Sequence, residues 1–297
     1  MLLPLLLFAA SCPANAAAAE EQGRAALSHR DYAAAIGHLK EAQTACPNEN
    51  TIALELANAY FMSQHFGAAK GIVARVLAIE PANPAALELR GNVQFLEGET
   101  QAAIATFIDL LEKHPDNKEA PYMLGRIYYQ QGSLDQAIGQ FERALKVDPR
   151  SYKAYDGLGL CYQAKSENDR AIRHFLTAIK LAAADRPDYD TAFADLAELL
   201  LKAGDAEKAF GAASNAADRN PYSARNFYLG GRALERLDKM ELSVNWLERS
   251  AALDPSYPEP QYALARIYRR LGETSKAEQA QQKFLAAKAK TKRMGPM

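Results

Sequence analysis

The sequence predicts an all-α fold, a solenoid of about eight stacked helical hairpins, and three observations carry that prediction. Prolines recur at Pro47, Pro81, Pro115 and Pro149 with an interval of 34 residues, and the interval returns from Pro187 to Pro221 to Pro255. In repeats that begin at Ala16, Asn50, Pro84, Lys118, Tyr152, Asp190, Ala224 and Pro258, the eighth place is always small: Gly23, Ala57, Gly91, Gly125, Gly159, Ala197, Gly231 and Ala265. The twentieth place is small too, running Ala35, Ala69, Ala103, Ala137, Ala171, Ala209, Ser243 and Ala277. Two helices of a hairpin approach to the short end of the ~8 to 10 Å range only where small residues face each other, so these places mark the helix contact. Larger apolar residues at helical spacing, such as Leu124, Tyr128 and Phe141, leave a face that one hairpin cannot cover. Stacking each repeat on the next buries it.

In chain order, repeat one keeps Gly23, Ala35 and Pro47 but has Ala26 at the usual aromatic place, as suits a capping position. Each closing proline stops a second helix and biases the residue before it away from helix. Repeat four is the sharpest copy, EAPYMLGRIYYQQGSLDQAIGQFERALKVDP over residues 119–149, with Tyr122, Leu124, Gly125, Tyr128, Ala137, Phe141, Ala144 and Pro149 in register. This pattern resembles the tetratricopeptide repeat, and the resemblance covers residues 20–289. It implies a right-handed superhelical solenoid whose first helices line a concave groove. Repeat five closes late, with 16 residues from Ala171 to Pro187 where the other repeats have 12. The run Ala182, Ala183, Ala184 favours helix, so the insertion is expected to lengthen the second helix by about one turn. It reads as a joint between repeats 1–5 (residues 20–187) and repeats 6–8 with a C-terminal capping helix (residues 188–290). Residues 291–297 read as a basic tail.

The N-terminus, MLLPLLLFAASCPANAAAAEEQ, has an apolar run from Leu2 to Ala10, well short of the ~20 residues of a membrane-spanning helix. Residues 1–19 therefore read as a signal peptide or a lipoprotein leader, although no Lys or Arg precedes the run. Ala14-Asn15-Ala16 offers a small-x-small cleavage site, Ala9-Ala10-Ser11-Cys12 resembles a lipobox with Cys12 as the lipidation candidate, and an uncleaved leader is the third reading. On any export reading the protein is periplasmic or secreted, or lipid-anchored. With Cys12 in the leader, Cys46 and Cys161 lie several repeats apart and are expected as unpaired thiols, Cys161 as a small buried hydrophobe.

No catalytic arrangement emerges. The five histidines are scattered, and no HExxH, GxSxG, GxxxxGK[ST] or paired Cys/His spacing occurs. The expectation is a non-enzyme with no cofactor and no metal. A net charge of -1 argues against nucleic acid as a partner. The resemblance places groove residues at the second, fifth, sixth, ninth, twelfth and thirteenth places. In repeats two to four these give Leu54, Asn58, Phe61, Met62, Glu88, Leu89, Asn92, Phe95, Leu96, Tyr122, Met123, Arg126 and Tyr129, an apolar and aromatic set. Such a set marks an interaction surface, or packs between neighbouring helices. In repeats seven and eight they give Arg225, Tyr228, Arg232, Glu235, Arg236, Glu259, Tyr262, Arg266, Arg269 and Arg270. Guanidinium forks beside tyrosines suit carboxylate or phosphate; the plain alternative is a solvated face paired with Glu235 and Glu259. The clamp that one subclass uses for a chaperone's C-terminal carboxylate is missing, since Leu54, Leu89 and Met123 stand where Lys, Asn and Arg belong. The resulting expectation is a scaffold that binds an extended or helical partner protein segment in its groove, with the arginine places selecting acidic character. An envelope glycan or anionic-lipid module and an accessory subunit of a separate enzyme are the rival readings.

Overall fold

The computed structural model describes residues 12–294, and every regular element among them is an α-helix. The chain divides into two compact bodies, Met1–Gln131 and Gly132–Met297. The first contains α1 (Ala14–Ser28), α2 (Tyr32–Ala45), α3 (Asn50–Met62), α4 (Phe66–Ile79), α5 (Pro84–Leu96), α6 (Thr100–Lys113) and α7 (Glu119–Gln130). The second contains α8 (Leu134–Val147), α9 (Tyr152–Ala164), α10 (Asn168–Asp185), α11 (Thr191–Ala203), α12 (Ala206–Arg219), α13 (Ala224–Arg236), α14 (Met240–Leu253), α15 (Pro258–Arg270) and α16 (Thr274–Met294). Odd-numbered helices open the repeats and even-numbered ones close them, so the described residues form an all-α repeat solenoid with three hairpins in the first body, α1–α2, α3–α4 and α5–α6, and four in the second, from α9–α10 to α15–α16. The bodies divide inside repeat four rather than at Pro187.

The hairpin contact follows from the small places, with one addition. Ser243 Oγ donates to the Gly231 carbonyl at 2.7 Å, which joins the twentieth place to the eighth. The glycine also clears room for a large residue sixteen positions later. A Cβ on Gly23, Gly91, Gly159 or Gly231 would lie 2.6 Å from Leu39 Cγ, 2.7 Å from Phe107 Cζ, 2.5 Å from Phe175 Cδ1 and 2.6 Å from Leu247 Cγ respectively. Where the eighth place is Ala57 or Ala197, that later position holds the smaller Val73 or Ala213.

Helix ends obey the backbone. The C-caps Cys46, Glu80, His114, Asp148, Arg186, Asn220 and Asp254 each stand immediately before a repeat proline. Within every hairpin the fifteenth place is left-handed: Gly98, Gly132, Gly204 and Gly272, but also Arg30, Gln64, Ser166 and Asp238. The insertion in repeat five is helical, since α10 runs for 18 residues and α8 and α12 for 14. The capping segment is a continuation of the last repeat rather than a separate helix: α16 runs for 21 residues because neither Gly nor Pro interrupts it.

At the N-terminus, α1 begins at Ala14, inside the stretch read as a leader. Ala16 and Ala19 pack with Cys46 and Ile52. Residues 1–11, which carry the apolar run, lie outside the described residues. The expectation that Cys46 is unpaired is corrected: it forms a disulfide with Cys12, with Cα atoms 5.7 Å apart. The reason is the hairpin itself, in which the entry to α1 lies beside the end of antiparallel α2. The bridge also occupies the Sγ that lipidation of Cys12 would use. Cys161 is free and buried, its thiol pushed up to about 12 by burial.

Candidate functional site

Two grooves differ in the chemistry of their walls. The first belongs to repeats two and three, where α3 and α5 run side by side with the turns that precede them. It encloses about 620 Å³, and four carboxylates line it: Glu49, Glu55, Glu80 and Glu88. Asn58, Asn92 and three further asparagines join them, with no Lys or Arg in the lining. This differs from the apolar wall that the groove places suggested. Leu54 and Phe61 line the groove but also pack onto the core of α3, α4 and α5, and Leu89 and Met123 are buried. Much of the acidity comes from positions outside the groove places, because Glu49 caps the start of α3 and Glu80 ends α4. Burial raises the Glu55 carboxyl above its ordinary range, against the pull of Arg24, whose Nε donates to Oε1 at 2.6 Å.

Of the other expected residues in this body, Arg126 lies over the rings of Phe95 and Tyr122, 5.5 and 5.8 Å from their centroids. Met62 is exposed and Tyr129 half-buried, and neither joins the acidic groove.

The second groove, about 290 Å³, belongs to repeats six and seven. Lys202, Arg225, Arg232 and Arg236 line it with Tyr228, Tyr257 and Glu198. Lys202 and Glu198 hold the thirteenth and ninth places of repeat six, so the same place-counting reaches them once it is extended to that repeat. Arg225 is a structural anchor: its Nη2 donates to Asp195 at 2.6 Å and to Glu198 at 2.7 Å. Burial works against its charge, but these two carboxylates outweigh burial and raise its pKa. Glu198 is lowered in turn, despite burial, by Lys202 and Arg225.

The remaining arginines are each bonded to neighbouring groups rather than gathered at one point. Arg266 grips Glu235 through two bonds of 2.9 and 2.6 Å, and Arg270 reaches Asp238 at 3.0 Å. Arg236 donates to the Leu201 carbonyl, and Arg269 to Gln281 at 3.0 Å. Arg232 donates to the Tyr228 hydroxyl at 2.8 Å, with its Nε 3.2 Å from Glu235. Tyr262, half exposed, packs on Phe284. Arg225, Arg236, Arg266 and Arg270 thus fasten their repeat to the one before, Arg232 and Arg269 bond within their own repeat, and of the groove arginines only Arg225, Arg232 and Arg236 line the cavity.

Among the described residues no group of three or more His, Cys, Asp or Glu side chains is placed to hold a metal ion. No described helix is long and apolar enough to cross a membrane.

Family profiles described as tetratricopeptide repeat match residues 26–93, 94–165 and 258–291. No curated protein sequence matches the chain significantly. Among solved structures, a tetratricopeptide repeat protein from Parabacteroides merdae superposes with a TM-score of 0.63 at 19% identity, over 85% of this chain and 98% of that one. The APC/C hetero-tetramer Cut9-Hcn1 gives 0.70 at 17% identity, over 77% of this chain and 45% of that one. Pseudomonas aeruginosa pilF gives 0.62 at 19% identity, over 73% and 97%. At these identities the likeness is one of fold.

Proposed function

Because the chain belongs to the tetratricopeptide repeat family, we propose that it is a non-catalytic scaffold that holds a segment of a partner protein in its groove. The observation that carries this reading is the second groove: Lys202, Arg232 and Arg236 beside Tyr228 and Tyr257, in a cleft of about 290 Å³. Cations of this kind read a carboxylate, and the two phenol rings, 5.4 Å apart, supply stacking area at low entropic cost. An acidic segment with an aromatic or aliphatic residue between its carboxylates matches that wall.

The proposed location is the cell envelope. Two features support it: the apolar run from Leu2 to Ala10, and a Cys12–Cys46 bridge, of the kind that persists in oxidising compartments. The bridge, lipidation of Cys12 and cleavage after Ala16 exclude one another. The intact mass of the unreduced protein distinguishes all three.

A labelled peptide of alternating glutamate and leucine tests the binding reading. It is expected to bind the full chain in a salt-sensitive manner, and Lys202→Glu with Arg232→Glu weakens it about tenfold or more. Lys208→Glu, on α12 and paired with Asp205, leaves it unchanged. Equal binding by all three proteins removes this groove from the account.

A further inference from the structure

The first groove is rich in acceptors. Glu80 already receives Asn50 Nδ2 at 2.7 Å and Asn83 Nδ2 at 2.6 Å, so two of the amides in the lining spend a donor on it. Asn83 Oδ1 is taken by the Ala86 amide. Two atoms are left buried with no hydrogen-bond partner, Glu55 Oε2 and Asn92 Oδ1, and both are acceptors. A buried acceptor without a donor is costly in a native protein. Neither atom is accessible as its side chain stands, so a donor from outside satisfies it once the side chain turns into the groove. Arg24 does not fill this role, because its bond goes to the other oxygen, Glu55 Oε1.

We propose that the groove of repeats two and three takes an extended partner segment bearing Lys or Arg side chains. Its occupant is chemically opposite to that of the second groove. Ammonium or guanidinium heads meet Glu49 and Glu55, a head or backbone amide reaches Asn92 Oδ1, and the aliphatic stems lie along Leu54 and Phe61. One feature argues for a cation rather than a neutral segment: four carboxylates surround the cavity with no cation among its lining residues, and Arg24, outside the lining, pairs with Glu55 alone among Glu49, Glu55 and Glu80.

The inference rests on the scaffold reading but uses a different groove, so the two can fail separately. The experiment titrates the full chain with a labelled peptide of alternating lysine and leucine, alongside the glutamate and leucine peptide. The lysine peptide is expected to bind. Glu49→Gln with Glu55→Gln, checked for unchanged helicity, weakens it about tenfold or more, while Lys202→Glu with Arg232→Glu does not. Asn92→Leu, which removes an orphaned acceptor without changing charge, weakens it as well.

Equal affinity for the wild type and the double glutamine variant overturns the proposal. So does failure of the lysine peptide while the glutamate peptide still binds, a result that leaves the scaffold reading standing. Failure of both peptides removes the two readings together. Salt-sensitive self-association of the chain, abolished by the same glutamines, would overturn the partner assignment in favour of the basic C-terminal segment of a second copy.

Discussion

Asp156 and Asp195 are 5% and 4% exposed, close enough for each to oppose the charge of the other. Tyr189 donates to Asp156 Oδ2 at 2.5 Å, while Arg225 is shared by Asp195 and Glu198. Burial first, and Asp195 second, push the Asp156 carboxyl up to about 7 from an ordinary 3.8, against the pull of Tyr189 and Arg225. Between those two values the native chain holds a proton that the unfolded chain has released. Stability therefore falls as pH rises through that window and levels off above it. Denaturant midpoints measured across the range should follow this course, and Asp156→Asn should flatten it. Above pH 7 that variant is expected to be more stable than the wild type by on the order of 1–3 kcal/mol. Tyr189→Phe acts in the other direction, costing about 1–3 kcal/mol by leaving Asp156 without its donor. A second prediction concerns Gly159, whose missing Cβ admits Phe175. Gly159→Ala should cost about 1–3 kcal/mol, and Phe175→Leu on that background should recover part of it. The small places were legible in the sequence, but the residue they accommodate was not, because Leu39, Phe107, Phe175 and Leu247 look like ordinary core positions until the hairpin closes.

Among the elements, the turn inside each hairpin shows why identity alone hides a conformation. The fifteenth place is left-handed in all eight repeats, yet only four of the eight residues are glycine. Pattern reading passes over Arg30, Gln64, Ser166 and Asp238 because nothing in their chemistry announces a positive φ. A non-glycine residue there costs roughly 1–2 kcal/mol of local strain, partly offset by the lower unfolded-state entropy that any side chain brings. Gln64→Gly is therefore expected to raise the thermal midpoint, with a gain of about 0.5–1 kcal/mol. The long α10 was legible from the late proline and the alanines before it. Its consequence was not, namely that the chain after it brings Tyr189 to Asp156. Deleting residues 182–185 should break that bond and, by removing a group that holds the Asp156 carboxyl down, enlarge the fall of stability with rising pH.

For the molecule as a whole, the eight repeats and their helix boundaries followed from spacing, because proline and small residues act through local backbone and packing rules. The grooves followed less well. Place-counting reached Arg225, Tyr228, Arg232 and Arg236, which line a cavity, but it left wall and packing open for Leu54, Leu89 and Met123, where part or all of each side chain is core. It also missed Glu49 and Glu80, which enter from helix ends rather than from the face of a first helix. A net charge of -1 likewise concealed one acidic and one cationic cavity. The measurement that bears most directly on the account is amide hydrogen exchange of the full chain, with each of the two peptides in turn. The account predicts protection gathered on α3 and α5 with the lysine peptide, and on α11 and α13 with the glutamate peptide. Protection that is absent, or the same for both peptides, would contradict it.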